Sequence, residues 1–96
     1  MVDIEQTYEQ IRARAAKAGA ARVILFGSRA RGTNLPKSDI DLAVEGCPDF
    51  PAFKDALEND LPTLLNVDVV NLDTTSSTEL KRDVARDGKV LYEKVQ

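Results

Sequence analysis

A Gly-Ser pair, a ten-residue gap and an acid-Ile-acid triplet constrain this chain more than anything else in it: Gly27-Ser28, then Asp39-Ile40-Asp41. The pair closes one apolar run, Val23-Ile24-Leu25-Phe26, and the triplet opens another through Ile40, Leu42 and Val44. Side chains two apart on a strand point to the same face, so Asp39 and Asp41 would share one. A third acid, Asp68, interrupts Val67-Asp68-Val69-Val70, where the valines call for a strand and Asp is disfavoured. Any fold for this chain must seat charge on an otherwise apolar sheet.

The pattern around these runs predicts four helices and four strands. Ile4, Tyr8, Ile11, Ala15 and Ala18 recur at helical spacing over residues 3–18, with Asp3 as N-cap and Gly19 just past the end. Residues 22–26 read as a buried strand, Ser28 to Arg31 as a brief helix, and Thr33 to Ser38 as a loop. Asp39 to Glu45 alternates as a strand. Residues 51–60 form an amphipathic helix with Phe53, Ala56 and Leu57 inward, and Pro51 is acceptable in its first turn. Asn66 to Leu72 is a strand. Ser76 or Ser77 caps a helix carrying Leu80, Val84 and Ala85, and Ser76 and Glu79 have capping-box spacing. A turn at Asp87-Gly88 leads to a last strand, Lys89 to Glu93. The alternation implies an α/β (α+β) fold, a small sheet of about four strands flanked by helices, in one domain over residues 1–96.

Composition narrows the chemistry. There is no histidine and one cysteine, Cys47, which excludes a Cys/His zinc site and an internal disulfide. Any metal would be held by oxygen, which favours Mg²⁺ or Mn²⁺. The net charge of −3 argues against strong nonspecific nucleic-acid binding, although Arg12, Arg14, Lys17, Arg22, Arg29 and Arg31 make the first third basic. No apolar stretch is long enough to span a membrane and Met1 to Gln10 is polar, so a cytoplasmic protein is expected.

Paired carboxylates on one face repel, and a divalent cation resolves the conflict while leaving both ionised. If the strand carrying Asp68 pairs beside the one carrying Asp39 and Asp41, three carboxylates meet, as in two-metal phosphoryl-transfer sites. Each acid alone also suits a solvent-facing strand position or, for Asp39, an Asx-turn. Asp73, at a strand end, is better explained by turn and capping duties. Gly27 permits a tight turn and close approach of a ligand. Ser28 offers a hydroxyl among free N–H groups, or simply a cap. No Lys-Ser/Thr follows, so this is not a Walker A loop. Arg29 and Arg31 are candidates for binding phosphate, and equally for pairing with Asp39 or Glu45. Cys47 has no base near it in sequence, and Tyr8 and Tyr92 read as packing residues.

The string Phe26-Gly27-Ser28-Arg29-Ala30-Arg31-Gly32, followed by Ser38-Asp39-Ile40-Asp41-Leu42, resembles the signature of the DNA polymerase β-like nucleotidyltransferase superfamily, and in particular its minimal nucleotidyltransferases. The resemblance implies that superfamily's mixed sheet. It assigns Gly27 and Ser28 to the triphosphate, Asp39 and Asp41 to two Mg²⁺ ions, and Asp68 to the metal and proton at the nucleophile. It implies ATP as donor. It also implies a partner, a small helical toxin of the HEPN class bound in a hetero-oligomer, with a toxin tyrosine as acceptor and this chain as antitoxin. Two other functions remain open on the same residues: a transferase acting on a small molecule such as an aminoglycoside, and an antitoxin that neutralises by binding alone.

Overall fold

The computed structural model describes residues 3–95. In chain order these form α1 (Ile4–Ala18), β1 (Arg22–Phe26), α2 (Ser28–Arg31), β2 (Ile40–Glu45), α3 (Phe50–Asn59), β3 (Val67–Asn71), α4 (Thr78–Asp87) and β4 (Lys89–Glu93). The expected order of elements is therefore present, and most boundaries fall within a residue of expectation.

Local chemistry sets the ends. Asp3 accepts from the Glu5 N–H and Gln6 reaches back to the Asp3 N–H, closing a capping box on α1. Gly19 ends that helix in the left-handed conformation, φ 75°, where a side chain would be strained. Asp49 caps α3, which starts at Phe50, one residue before expectation, and Pro51 sits in the first turn, where its missing N–H costs nothing. On α4 the expected Ser76/Glu79 box does not form. Ser77 is the cap instead, its hydroxyl accepting from the Leu80 N–H at 3.1 Å.

The strands form one sheet in the order β3-β2-β1-β4. β1 runs antiparallel to both β2 and β4, with a bulge opposite Val23/Ile24, while β2 and β3 are parallel. A parallel pair needs a long crossover, which α3 supplies. Alternation along the strands then sorts side chains onto two faces. One face carries Val23, Leu25, Ile40, Leu42, Val44, Val67 and Val69, packed against Ile11 and Ala15 of α1 and Phe53 and Leu57 of α3. Burying each of the larger of these contributes about 1.5–3 kcal/mol, so this layer is the main core. On the other face Ile24, Ala43 and Val84 make a smaller cluster beneath α4, with Phe26, Val70, Leu72 and Leu80 at its margin.

Asp41 and Asp68 alternate out of the main core onto this second, thinly covered face. That is why a sheet so apolar tolerates them.

The outer edge of β3 is closed by α3. Lys54 Nζ donates to the Val69 carbonyl at 2.9 Å, and Glu58 accepts from the Val69 N–H at 3.0 Å. The two side chains pair with each other at 2.5 Å. An ion pair thus satisfies one donor and one acceptor that an edge strand would otherwise present to another chain. No helix among the described residues is long and apolar enough to cross a membrane.

Candidate active site

β1 ends at Phe26, and Gly27 turns the chain with φ 76° and ψ −156°, a combination open essentially to glycine alone. The space where a Cβ would stand is already taken: it would collide with the Asp41 carboxylate and lie 3.3 Å from Asp41 Cγ. The turn and the acid are in direct contact. Gly27 itself occupies the N-cap position of α2 without a side-chain cap, so Ser28 is the first helical residue and its hydroxyl does no capping there. The plain capping explanation for Ser28 is thereby removed.

Across the sheet, Asp41 is paired in register with Asp68 on β3 and with Phe26 on β1. Residues paired across neighbouring strands lie about 5 Å apart and project to the same side. The two carboxylates are therefore neighbours at the lip of the thinly covered face, next to Gly27. Asp39 lies one residue ahead of the ladder, not within the strand as its alternation suggested. Pairing begins at Ile40, whose N–H donates to the Asn66 carbonyl at 2.9 Å. Asp39 is exposed, and its charge still reaches Asp41.

Electrostatics single out Asp41. Burial raises its pKa above the usual aspartate value, the charges of Asp68 and Asp39 raise it further, and Arg31 opposes them. Asp41, with exposed Asp68 in register beside it and Asp39 near enough for its charge to be felt, heads a donor set made only of carboxylate oxygen, whose charge Arg31 opposes. That chemistry fits a hard divalent cation. Among the described residues no three acid or thiol side chains close into a ready-made cage. The backbone brings Asp41 and Asp68 together as expected, but repulsion gives the side chains no reason to converge. A Mg²⁺ ion needs only one or two protein carboxylates when substrate phosphates supply further oxygens.

The two arginines have different surroundings. Arg29 donates through Nε and Nη2 to the Ser38 carbonyl at 3.1 and 2.9 Å, and through Nη2 to the Pro36 carbonyl at 3.1 Å. The alternative of pairing with Asp39 or Glu45 is not taken up; Glu45 pairs with Arg22. Arg31 lies 3.7 Å from Asp87 and close enough to Asp41 to lower its pKa. Asp87 is also held by Arg86 at 2.9 Å. In the sequence Asp87 belongs to a turn, and nothing local in Arg86-Asp87-Gly88 marks it as an anchor for a residue on α2.

The remaining candidates fall away. Asp73 accepts from the Gly46 N–H at 2.7 Å, which ties the end of β3 to the turn after β2, where a local turn or cap was expected. Tyr8 is buried in the main core and Tyr92 packs against it. Burial pushes the Cys47 thiol up, so it is a poor nucleophile. Behind Arg29 opens an apolar cleft of about 720 Å³, lined by Ile4, Thr7, Pro36 and the 61–65 loop, and it contains none of the three acids.

The family model for polymerase beta nucleotidyltransferases matches residues 9–96. The chain belongs to that family.

Its fold has solved relatives. A chain of a toxin-antitoxin solved with AMP-PNP superposes with a TM-score of 0.73 at 29% identity, covering 91% of this chain and 73% of that one. A mutant of the toxin-antitoxin MntA-HpeT gives 0.72 at 27%, with the same coverage. A protein described as a candidate minimal nucleotidyltransferase gives 0.67 at 31%, covering 90% of each chain. No curated protein matches the chain in sequence. By family and by fold, then, this is a nucleotidyltransferase, and its structural relatives include members of toxin-antitoxin pairs.

Proposed function

We propose that this chain moves AMP from ATP onto a hydroxyl of a protein partner, a tyrosine of a small helical HEPN-type toxin, and so acts as an antitoxin. The observation that carries the reading is the in-register pair Asp41 and Asp68 beside the Gly27 turn. The likeness to a toxin-antitoxin chain solved with AMP-PNP supports the choice of donor and partner.

The residues divide the work. Gly27 and Ser28 hold the triphosphate at the turn, where missing side-chain bulk lets phosphate oxygens approach the backbone. Arg31, facing Asp41 and tethered only at 3.7 Å, swings toward the β- and γ-phosphates. Asp39, Asp41 and Asp68 hold two Mg²⁺ ions, which Mn²⁺ can replace. Bound there, the ions would neutralise phosphate charge and favour the phenolate form of the acceptor tyrosine. The acceptor oxygen attacks the α-phosphorus in line as the bond to the bridging oxygen breaks. Pyrophosphate leaves, and Asp68 accepts the hydroxyl proton. Lone Cys47 and the absence of any apolar spanning helix among the described residues are in keeping with a cytoplasmic setting.

The test is label transfer. The chain, purified with its co-expressed partner, is given Mg²⁺ and ATP labelled at either the α- or the γ-phosphate. Only α-label should appear on the partner, at tyrosine. α-Label on a small molecule would move the acceptor off protein. Neutralisation that persists in Asp41→Ala, without any label, would make the chain an antitoxin by binding alone.

A further inference from the structure

Arg29 occupies a singular place between the two halves of the site. It is the second residue of α2, one step after Ser28, yet its guanidinium donates to the carbonyls of Ser38 and Pro36 on the far side of the loop. That loop end is already a closed turn. The Ser38 hydroxyl accepts from the Leu35 N–H at 2.8 Å, and the Ser38 N–H donates to the Leu35 carbonyl at 3.1 Å. At its start, the Thr33 N–H donates to the Ser28 carbonyl at 3.0 Å. The buried phenol of Tyr8 lies against the same guanidinium, whose charge opposes the upward shift that burial imposes on the phenol.

Asp39 is next in the chain. It hangs between two fixed points: Ser38, held by Arg29, and Ile40, held by the Asn66 carbonyl. It is itself exposed and outside the ladder, so its own strand does not locate it. We propose that Arg29 is a positioning residue, which fixes Asp39 relative to the Gly27-Ser28 turn and to Asp41, and is not a ligand of the triphosphate. Hydrogen bonds from a charged donor to carbonyls are among the stronger ones. Three of them from one rigid planar fork set distance and direction together, which the flexible point charge of a lysine cannot reproduce. The side chain also walls the apolar cleft among Ile4, Pro36, Leu61 and Leu65, where the described lining residues offer a phosphate no other cationic partner. Without this clamp the closed turn at residues 35–38 would be tied less firmly to α2, and Asp39 with it.

The proposal rests on the reading of Asp39 and Asp41 as metal ligands, so the test separates the two. Mn²⁺ binding to the chain alone, followed by electron paramagnetic resonance, needs no transfer activity. In Arg29→Met it should weaken about tenfold. Amide exchange at Thr33, Leu35 and Ser38 should speed up about tenfold or more, while amides of β1 and α3 keep their protection. In transfer assays the Mg²⁺ concentration for half-maximal rate should rise about tenfold, kcat should fall, and KM for ATP should stay within about threefold. Arg29→Lys should recover part of each loss. Should Arg29→Met fold poorly, Arg29→Gln keeps one donor and is compared in the same way.

Three results would overturn the proposal. One is a KM for ATP raised tenfold with Mn²⁺ binding unchanged, the behaviour of a direct phosphate ligand. Another is a folded variant in which nothing changes. The third is a wild-type chain that binds no Mn²⁺. If wild type binds Mn²⁺ and transfers nothing, while Arg29→Met still weakens the binding, the proposed transferase reading fails and the positioning role stands.

Discussion

Asp41 and Asp68 stand opposite one another across the parallel seam between β2 and β3, and the Asp41 carboxylate fills the space over Gly27. Three segments distant in sequence thus meet at one point. The rest of the fold can be read as the support for that meeting.

The acid pair has an energetic cost that its removal should reveal. The pKa of Asp41 is raised by burial, then by Asp68 and Asp39. A carboxyl whose folded pKa lies above its unfolded value contributes its full stability below the unfolded value, about 4, and loses it as pH rises through the folded one. At neutral pH and without divalent metal, Asp41→Asn should therefore stabilise the fold, by roughly 0.5–1 kcal/mol after allowance for solvent screening. The gain should shrink as pH falls through the raised folded value toward the usual aspartate value, where wild type itself takes up the proton. Thermal melts across pH 4–8 in chelator check this, and a less stable Asp41→Asn at pH 7 would contradict it.

Gly27 should tolerate no side chain. Its φ of 76° with ψ of −156° is strained for any other residue, and a Cβ would displace Asp41. Gly27→Ala should lose roughly 1–3 kcal/mol and most of its transfer activity. Urea denaturation gives the first quantity. Because the clash is with Asp41, the double variant Gly27→Ala/Asp41→Ala should regain part of the lost stability, a coupling a purely conformational strain would not show.

Arg31 and Asp87 should separate binding from stability. Their contact at 3.7 Å is partly exposed, and such pairs contribute about 0–1 kcal/mol. Arg31→Ala should leave the melting temperature nearly unchanged while raising KM for ATP about tenfold. Asp87→Asn should change KM much less, since it frees Arg31 instead of deleting it. Steady-state kinetics with the partner decide the matter.

The edge of β3 depends on one ion pair. Burial alone would raise the pKa of Glu58, but the hydrogen bonds from Lys54 and the Val69 N–H, with the Lys54 charge, lower it overall. Its contribution is thus present above the usual glutamate range, about 4.3, and lost as pH falls through the depressed folded value. Glu58→Gln should cost about 1 kcal/mol at pH 7, less at pH 3, and should speed amide exchange at Val69 selectively. Exchange spread evenly over β1 and β3 would mean the pair does not guard the edge.

Much of this was legible in the sequence. Helical spacing in residues 4–18 and the valine runs located the elements, because burial on one face leaves a period that composition cannot hide. Asp68 was found by its misfit, an acid among valines. Less legible were contacts that depend on two elements meeting. Asp87 holding Arg31 leaves no trace in spacing, since α4 and α2 are joined only by the fold. Arg29 could be read as a phosphate ligand or as the partner of a nearby acid, because both are open to an arginine beside a Gly-Ser turn, and the carbonyls that take its donors could not be seen in advance. Ser76 and Ser77 were indistinguishable as caps until the backbone chose one.

The central claim is that Asp41 and Asp68 together run the transfer. The direct measurement is the single-turnover rate of α-phosphate label transfer to the partner by wild type, Asp41→Ala and Asp68→Ala, each at equal concentration of folded chain. Both substitutions should slow transfer by about 10²–10⁴-fold, the range for loss of a catalytic group. Transfer within tenfold of wild type in either variant would contradict the account.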